Sequence, residues 1–220
     1  MHNICTYYLK YFIKNKWILL VGAFIFCLFF AFINGSGEYN LELDYAYYLN
    51  GTYLLIIVIP LLVVIIASII NVSLDTNTLI RLKHNPKYYL YMFYLVVITS
   101  FVYSMYILIP FIISSSLHFN IIGGKIFFIK NILYNSMNYF IIAEIYIVLY
   151  SIIKKSNITI ILTLIIIFTV NCLSALVYEV PMLIEILFFD NSFFVSKLFL
   201  CILLVFVDKL CFKIIYKDVC

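Results

Sequence analysis

The stretch 53-YLLIIVIPLLVVIIASII-70 decides the fold. It holds no charged residue, and its polar content is one serine and the tyrosine hydroxyl. At 1.5 Å per residue, a helix of this length is about 27 Å long, close to the hydrocarbon core of a bilayer at about 30 Å. Backbone amides in lipid have no water to bond, so such a run must close its own hydrogen bonds as a helix. The same signature recurs on either side. The run 17–33, WILLVGAFIFCLFFAFI, is the first span, and 53–70 is the second. A third covers 88–114 and contains Pro110, and a fourth covers 133–153 with Glu144 inside it. The fifth is 158–178. The sixth, 193–212, contains Lys197, Asp208 and Lys209. Its uncharged centre, 198–207, gives only about 15 Å of helix. It crosses only if Lys197 snorkels to one face while Asp208 and Lys209 sit at the other. The expected fold class is an all-α integral membrane protein with six transmembrane helices.

Composition points the same way. Of 220 residues, 66% are hydrophobic and 11% are charged. Soluble domains run near 45–50% apolar and 25% charged. Such a chain cannot cover a water-facing surface, which excludes a soluble enzyme, a disordered chain and a coiled coil. The reading is one polytopic membrane domain over residues 1–220. Residues 1–16 are basic, but the run after them ends in Asn34-Gly35-Ser36-Gly37 without a small-x-small cleavage pattern. Residues 17–33 are therefore read as a retained span. The abundance of Ile, Phe, Tyr, Asn and Lys reads as codon bias toward A and T, so these residue types carry little individual weight.

Charge sets the orientation. Six spans place 1–16, 71–87, 154–157 and the C-terminal tail on one side. That side holds Lys10, Lys14, Lys16, Arg81, Lys83, Lys87, Lys154, Lys155, Lys209, Lys213 and Lys217. The other side holds only Lys125, Lys130 and Lys197. The excess makes the first side cytoplasmic, with both termini inside. Glu38, Glu42, Asp44, Glu179, Glu185 and Asp190 fall outside. None of the six cysteines falls in an external loop, and they read as small apolar packing residues.

Several stretches carry more than topology. Residues 1–16 place Ile4, Tyr8, Tyr11 and Phe12 at helical spacing beside Lys10, Lys14 and Lys16, ahead of Trp17. This reads as an interfacial helix lying on the inner membrane surface. The loop 71–87, NVSLDTNTLIRLKHNPK, is the longest cytoplasmic connection. Asp75 can cap a short helix over 76–83, with Leu79, Ile80 and Leu82 apolar and Arg81, Lys83 and Lys87 basic, ended by Pro86. Two readings stay open: a helix that docks into a groove on a soluble partner, and a membrane-surface turn that obeys the inside rule. Glu144 also has two readings. An ionisable residue at mid-span is a functional candidate, able to line a polar path or meet a cationic cargo group. Alternatively it packs, protonated or hydrogen-bonded, against Asn171 or a tyrosine hydroxyl at the same depth. Asn171 and Ser174 suit interhelical hydrogen bonds. Pro60 and Pro110 suit kinks whose freed carbonyls neighbouring helices satisfy.

Enzyme chemistry finds no footing. His2, His84 and His118 make no metal spacing, and neither H-E-x-x-H nor G-x-S-x-G occurs. Gly123-Gly124-Lys125 lacks the leading Gly and the following Ser or Thr of a phosphate-binding loop. The expectation is no catalytic, cofactor-binding or metal site in this chain.

The arrangement resembles the membrane subunit of an ABC-2-type transporter. That family has six spans, both termini inside, an N-terminal interfacial helix and a coupling helix in the first cytoplasmic loop. Its loop often carries an acid, then Gly-Thr-Leu, then apolar and basic residues. Here Asp75 takes the place of the acid, Asn77-Thr78-Leu79 matches two of the three, and Arg81, Lys83 and Lys87 supply the basic run. Asn77 stands where the family has Gly. Residues 179–191, with Pro181, are similar to the family's external re-entrant element. The small size resembles permeases of Gram-positive peptide export and self-immunity systems, such as those for lantibiotics and phenol-soluble modulins.

The resemblance implies ATPase-coupling roles for Asp75, Thr78, Leu79, Arg81 and Lys83, and makes Glu144 and Asn171 transport-path candidates. It implies a separate ABC ATPase that binds ATP, and a second permease copy or a related permease. It also implies a multi-pass place in the bacterial cell membrane, and no nucleic-acid partner. The cargo would be hydrophobic or amphipathic, peptides included. Two other classes compete: a small-molecule capture subunit of an importer, and a non-transporting immunity or assembly protein.

Overall fold

The computed structural model describes residues 2–34, 45, 48, 49, 51–73, 88–116, 125–178 and 194–218. Among these, every regular element is helical, as an apolar chain of this kind demands. Helix α1 is His2–Asn34. Helix α2 covers 51–73 and is built from Gly51–Tyr53, a π turn at Leu54–Val58, and Ile59–Ser73. Then follow α3 (Tyr88–Ser116), α4 (Lys125–Ile153), α5 (Ser156–Tyr178) and α6 (Phe194–Asp218).

Four helices are long and apolar enough to cross a membrane, through Lys16–Ile33, Leu54–Asn71, Met92–Ser116 and Ile126–Ile153. The described apolar part of α5, Ser156–Cys172, is shorter. In α6 the apolar run is broken by Lys197, Asp208 and Lys209. The basic segment 1–16, expected to lie apart on the membrane surface, is continuous with 17–33 in a single helix. No glycine or proline stands between Lys10 and Val21 to break it.

Helix α4 sits at the centre and packs against α2, α3, α5 and α6, while α1 lies outside against α3 and α2. The peripheral place of α1 shows in its side chains. Trp17, Ile18, Ile25, Phe29 and Ile33 are each more than half exposed. An apolar surface of that extent is untenable in water and costs nothing against lipid tails.

The core is as much tyrosine as aliphatic. Tyr48, Tyr139 and Tyr146 are the largest fully buried side chains. Phe30 stacks on Tyr53 at 4.2 Å, Tyr48 stacks on Phe111 at 5.5 Å, and Tyr103 meets Tyr139 edge-on at 5.0 Å. All but Tyr146 gather where the end of α1 and the start of α2 meet α3 and α4, and Tyr146 lies toward the other end of α4 beside Ser156. Tyrosines set aside on codon grounds thus form the packed centre. A phenol buries a large apolar ring, and the hydroxyls of Tyr48 and Tyr103 still reach a backbone carbonyl.

Both internal prolines are accommodated. Pro60 has no N–H, and its ring crowds the carbonyl four residues back. The helix answers by widening to a π turn just before it, in which the Ile59 N–H donates to the Leu54 carbonyl. The Tyr103 hydroxyl then donates to the Val58 carbonyl at 2.6 Å. Within α3, the Tyr48 hydroxyl donates to the Ile107 carbonyl at 2.8 Å, one turn before Pro110.

The α4–α5 connection is the tightest described. Helix α4 ends at Ile153, α5 begins at Ser156, and Lys154 takes a left-handed conformation with φ of 58°. A Cβ in that region costs about 1–2 kcal/mol, while glycine loosens the unfolded chain by about 0.4–1 kcal/mol. Lys154→Gly is therefore expected to stabilise the protein by about 0.5–1 kcal/mol, and the β-branched Lys154→Val to destabilise it by more than that. Thermal unfolding in detergent checks both. Equal midpoints for the two variants would count against the strained turn.

Candidate functional site

Polar groups inside an apolar bundle are the features to explain. Helix α4 presents Asn135, Asn138 and Glu144 to the interior, and all three are buried. Helix α6 adds Lys197 and Asp208, also buried, and α5 adds Asn171. Glu144 is 1% exposed, Asp208 3% and Lys197 2%.

Helices α4 and α6 run side by side in the same direction. At one end the Lys197 ammonium lies 5.8 Å from the centre of the Tyr134 ring, a cation–π contact. Further along, Asp208 and Cys201 lie within electrostatic reach of Glu144. Glu144 Oε2 and Asp208 Oδ1 are both buried without a hydrogen-bond partner. Among the described residues, Asp208 is the acid within electrostatic reach of Glu144.

Lys197 and Asp208 are both buried between helices and turned away from the outside of the bundle. Residues 197, 201, 205 and 208 recur at spacings of four, four and three, so they share one helical face, and Lys209, one step round, is exposed. That spacing was the available signal. A reading by span length alone passes over it.

Beside this interface, α3, α4 and α6 border an open cleft of about 620 Å³ lined mainly by apolar side chains, among them Phe93, Phe101, Phe140, Cys201 and Val205. Its volume suits a small ligand or part of a chain molecule. Ser100 also lines it, and its hydroxyl is buried without a partner. One turn beyond Phe140 on α4 is Glu144, and one turn beyond Val205 on α6 is Asp208. One turn before Cys201 is Lys197.

A second polar cluster ties the opposite end of α2. The Asn71 amide donates to the Ser156 hydroxyl at 2.9 Å, and the Tyr146 hydroxyl lies 3.2 Å from the same oxygen. This joins the last turn of α2 to α4 and to the first residue of α5. Toward the other end of α4, Asn135 donates to the Tyr45 hydroxyl. Burial holds the Tyr45 and Tyr48 phenols above their ordinary range, so both stay neutral.

Of the sequence-derived candidates, Glu144 and Asn171 lie in the described bundle. Asp75, Thr78, Leu79, Arg81 and Lys83 lie outside the described residues, as does the 179–191 element. Among the described residues, no three of His, Cys, Asp and Glu gather as a metal site would require. Compared with known proteins, the chain matches no family model, no curated protein and no solved structure.

Proposed function

We propose that the chain is the membrane permease subunit of an ATP-driven ABC exporter, with six spans and both termini in the cytoplasm of a bacterial cell. The observation that carries this reading is the ionisable interior. An apolar helical bundle has no structural need for Glu144, Asp208 and Lys197 in one helix interface, and intramembrane charges mark pathways for polar groups. The resemblance in the 71–87 loop supplies the energy source. Asp75, Thr78, Leu79, Arg81 and Lys83 would form the coupling helix on a separate ATPase, and Glu144 with Asn171 would border the path. Two copies of the chain, or this chain and a related one, would complete the transporter. The cargo is hydrophobic or amphipathic.

The test is co-purification. Membranes of the native cell are cross-linked, then solubilised in mild detergent, and the tagged chain is analysed by mass spectrometry. A phosphate-binding-loop ATPase in stoichiometric amount is the expected result. Its absence from both cross-linked and untreated samples would overturn the exporter reading in favour of a stand-alone membrane protein.

A further inference from the structure

We infer that the π turn before Pro60 is a latched hinge of α2, at which the helix bends toward α5 when the Tyr103 hydroxyl releases the Val58 carbonyl. The hinge goes beyond the exporter reading and does not rest on it. In an exporter it would pass movement of the 74–87 segment into the bundle. In a stand-alone membrane protein it is still a helix with two shapes.

Three observations converge. The first is weakened backbone bonding at one place. Among the described residues, Leu54–Val58 is the one stretch in the π register. Pro60 supplies no N–H, so a carbonyl in the turn before it has no helical donor. Proline alone does not produce the π register, since α3 stays α-helical through Pro110. Sharp bends in helices fall at π turns and at prolines, and α2 has the two side by side. The second is separate anchoring of the two halves. Before the turn, Tyr53 stacks on Phe30 of α1 at 4.2 Å, and Leu54 is buried. Beyond it, Leu62, Val63, Ile66 and Ile70 are buried, and the Asn71 amide holds Ser156 at 2.9 Å. Both ends of α2 are thus fixed to different neighbours, with the loosened turn between them.

The third is room on one side of the turn and a latch on another. Between α2 and α5 lies an open slot of about 320 Å³, bordered by Leu55, Ile59 and Pro60 on α2 and by Leu164, Ile167 and Phe168 on α5. Close-packed interiors resist displacement, whereas this slot offers the turn unfilled space. Its walls are mainly apolar, so closing it brings side chains into van der Waals contact. Tyr103 comes from α3, a different neighbour, and its hydroxyl donates to the Val58 carbonyl at 2.6 Å. Movement of the turn into the slot draws Val58 away from Tyr103. The hydrogen bond and the closed slot are therefore alternatives, and the structure shows the latched one.

The test is a pair of distances measured by pulsed electron spin resonance on the full chain in lipid nanodiscs. Spin-labelled unnatural amino acids, which leave the native cysteines in place, are introduced at Ile56 with Val102 of α3, and at Ile56 with Ile161 of α5. All three positions are more than half exposed. The expected result is two populations for each pair, the minor one longer to α3 and shorter to α5. Tyr103→Phe removes the latch and is expected to raise the ratio of bent to straight about three- to tenfold, the range for one hydrogen bond. Pro60→Ala, which restores the N–H, and Leu164→Trp, which fills the slot, should each abolish the minor population. A single distance for both pairs in the parent and in Tyr103→Phe would overturn the proposal. So would a minor population that moves in the same sense relative to α3 and α5, or one that persists unchanged in Pro60→Ala. The parent and Tyr103→Phe suffice for a decision even if Leu164→Trp fails to fold. No ATPase enters the measurement, so failure of the exporter reading leaves its outcome untouched.

Discussion

Tyr48→Ala is expected to destabilise the protein by about 3–5 kcal/mol, the range for removing a large aromatic ring from a core. Tyr48 is wholly buried. Its ring stacks on Phe111 at 5.5 Å and meets Tyr53 at 5.5 Å and Phe30 at 6.5 Å, so it touches α1, α2 and α3 together. Its hydroxyl donates to the Ile107 carbonyl in the turn that precedes Pro110. Pro110 has no N–H, so its helical acceptor, the Tyr106 carbonyl, lacks a donor, and the neighbouring Ile107 carbonyl takes the Tyr48 hydroxyl in addition to its helical partner. The loss therefore has two separable parts. Tyr48→Phe keeps the ring and removes the donor, and is expected to cost about 0.5–1.5 kcal/mol, the net worth of one hydrogen bond, since the Ile107 carbonyl keeps its helical partner. Tyr48→Ala removes both. Equilibrium unfolding in mixed micelles, followed by helical circular dichroism, separates the two variants. A Tyr48→Ala protein within about 1 kcal/mol of the parent would show that the aromatic cluster is not part of the core.

The second large effect concerns coupling, and rests on the exporter reading. Arg81→Glu is expected to lower capture of the ATPase by about tenfold or more, because it reverses a charge in the middle of the proposed docking helix. Asn71→Ala should behave differently. Asn71 sits in the last described residues of α2, where the 74–87 segment leaves, and it holds Ser156 at 2.9 Å. Ser156 in turn meets Tyr146 of α4. On the exporter reading, a displacement passed to the end of α2 would reach the central helix through this tie. Removing it costs only about 1 kcal/mol of stability. Capture of the ATPase should persist in Asn71→Ala, while export driven by ATP falls. Pull-down and vesicle transport measured on both variants distinguish the roles. Full export from Asn71→Ala would show that the tie carries no motion, and undiminished capture by Arg81→Glu would remove the loop as the docking element.

Much of the fold could be read from local composition. Runs such as 53–70 have one stable form in lipid, a helix, because each backbone group must be satisfied within its own segment. The apolar lengths of α1 to α4 follow from counting residues. Less of the site could be read. Glu144 is legible as the one charge in its run. Asp208 and Lys197 read as the ends of a short span, since a linear count treats any charge as a boundary.

The sequence by itself determined that this is an all-helical chain with long apolar helices, because hydrophobicity and hydrogen bonding act along the chain. The tertiary structure decided what lies between the helices. It turned Lys197 and Asp208 inward by their angular position on α6, which length does not encode. It set Tyr48 and Tyr103 against the turns that Pro110 and Pro60 disturb, because a donor 59 or 45 residues away is near only after packing. It also brought two acids together beside an apolar cleft. Pairing of that kind depends on which faces of two helices meet, and no local pattern fixes it.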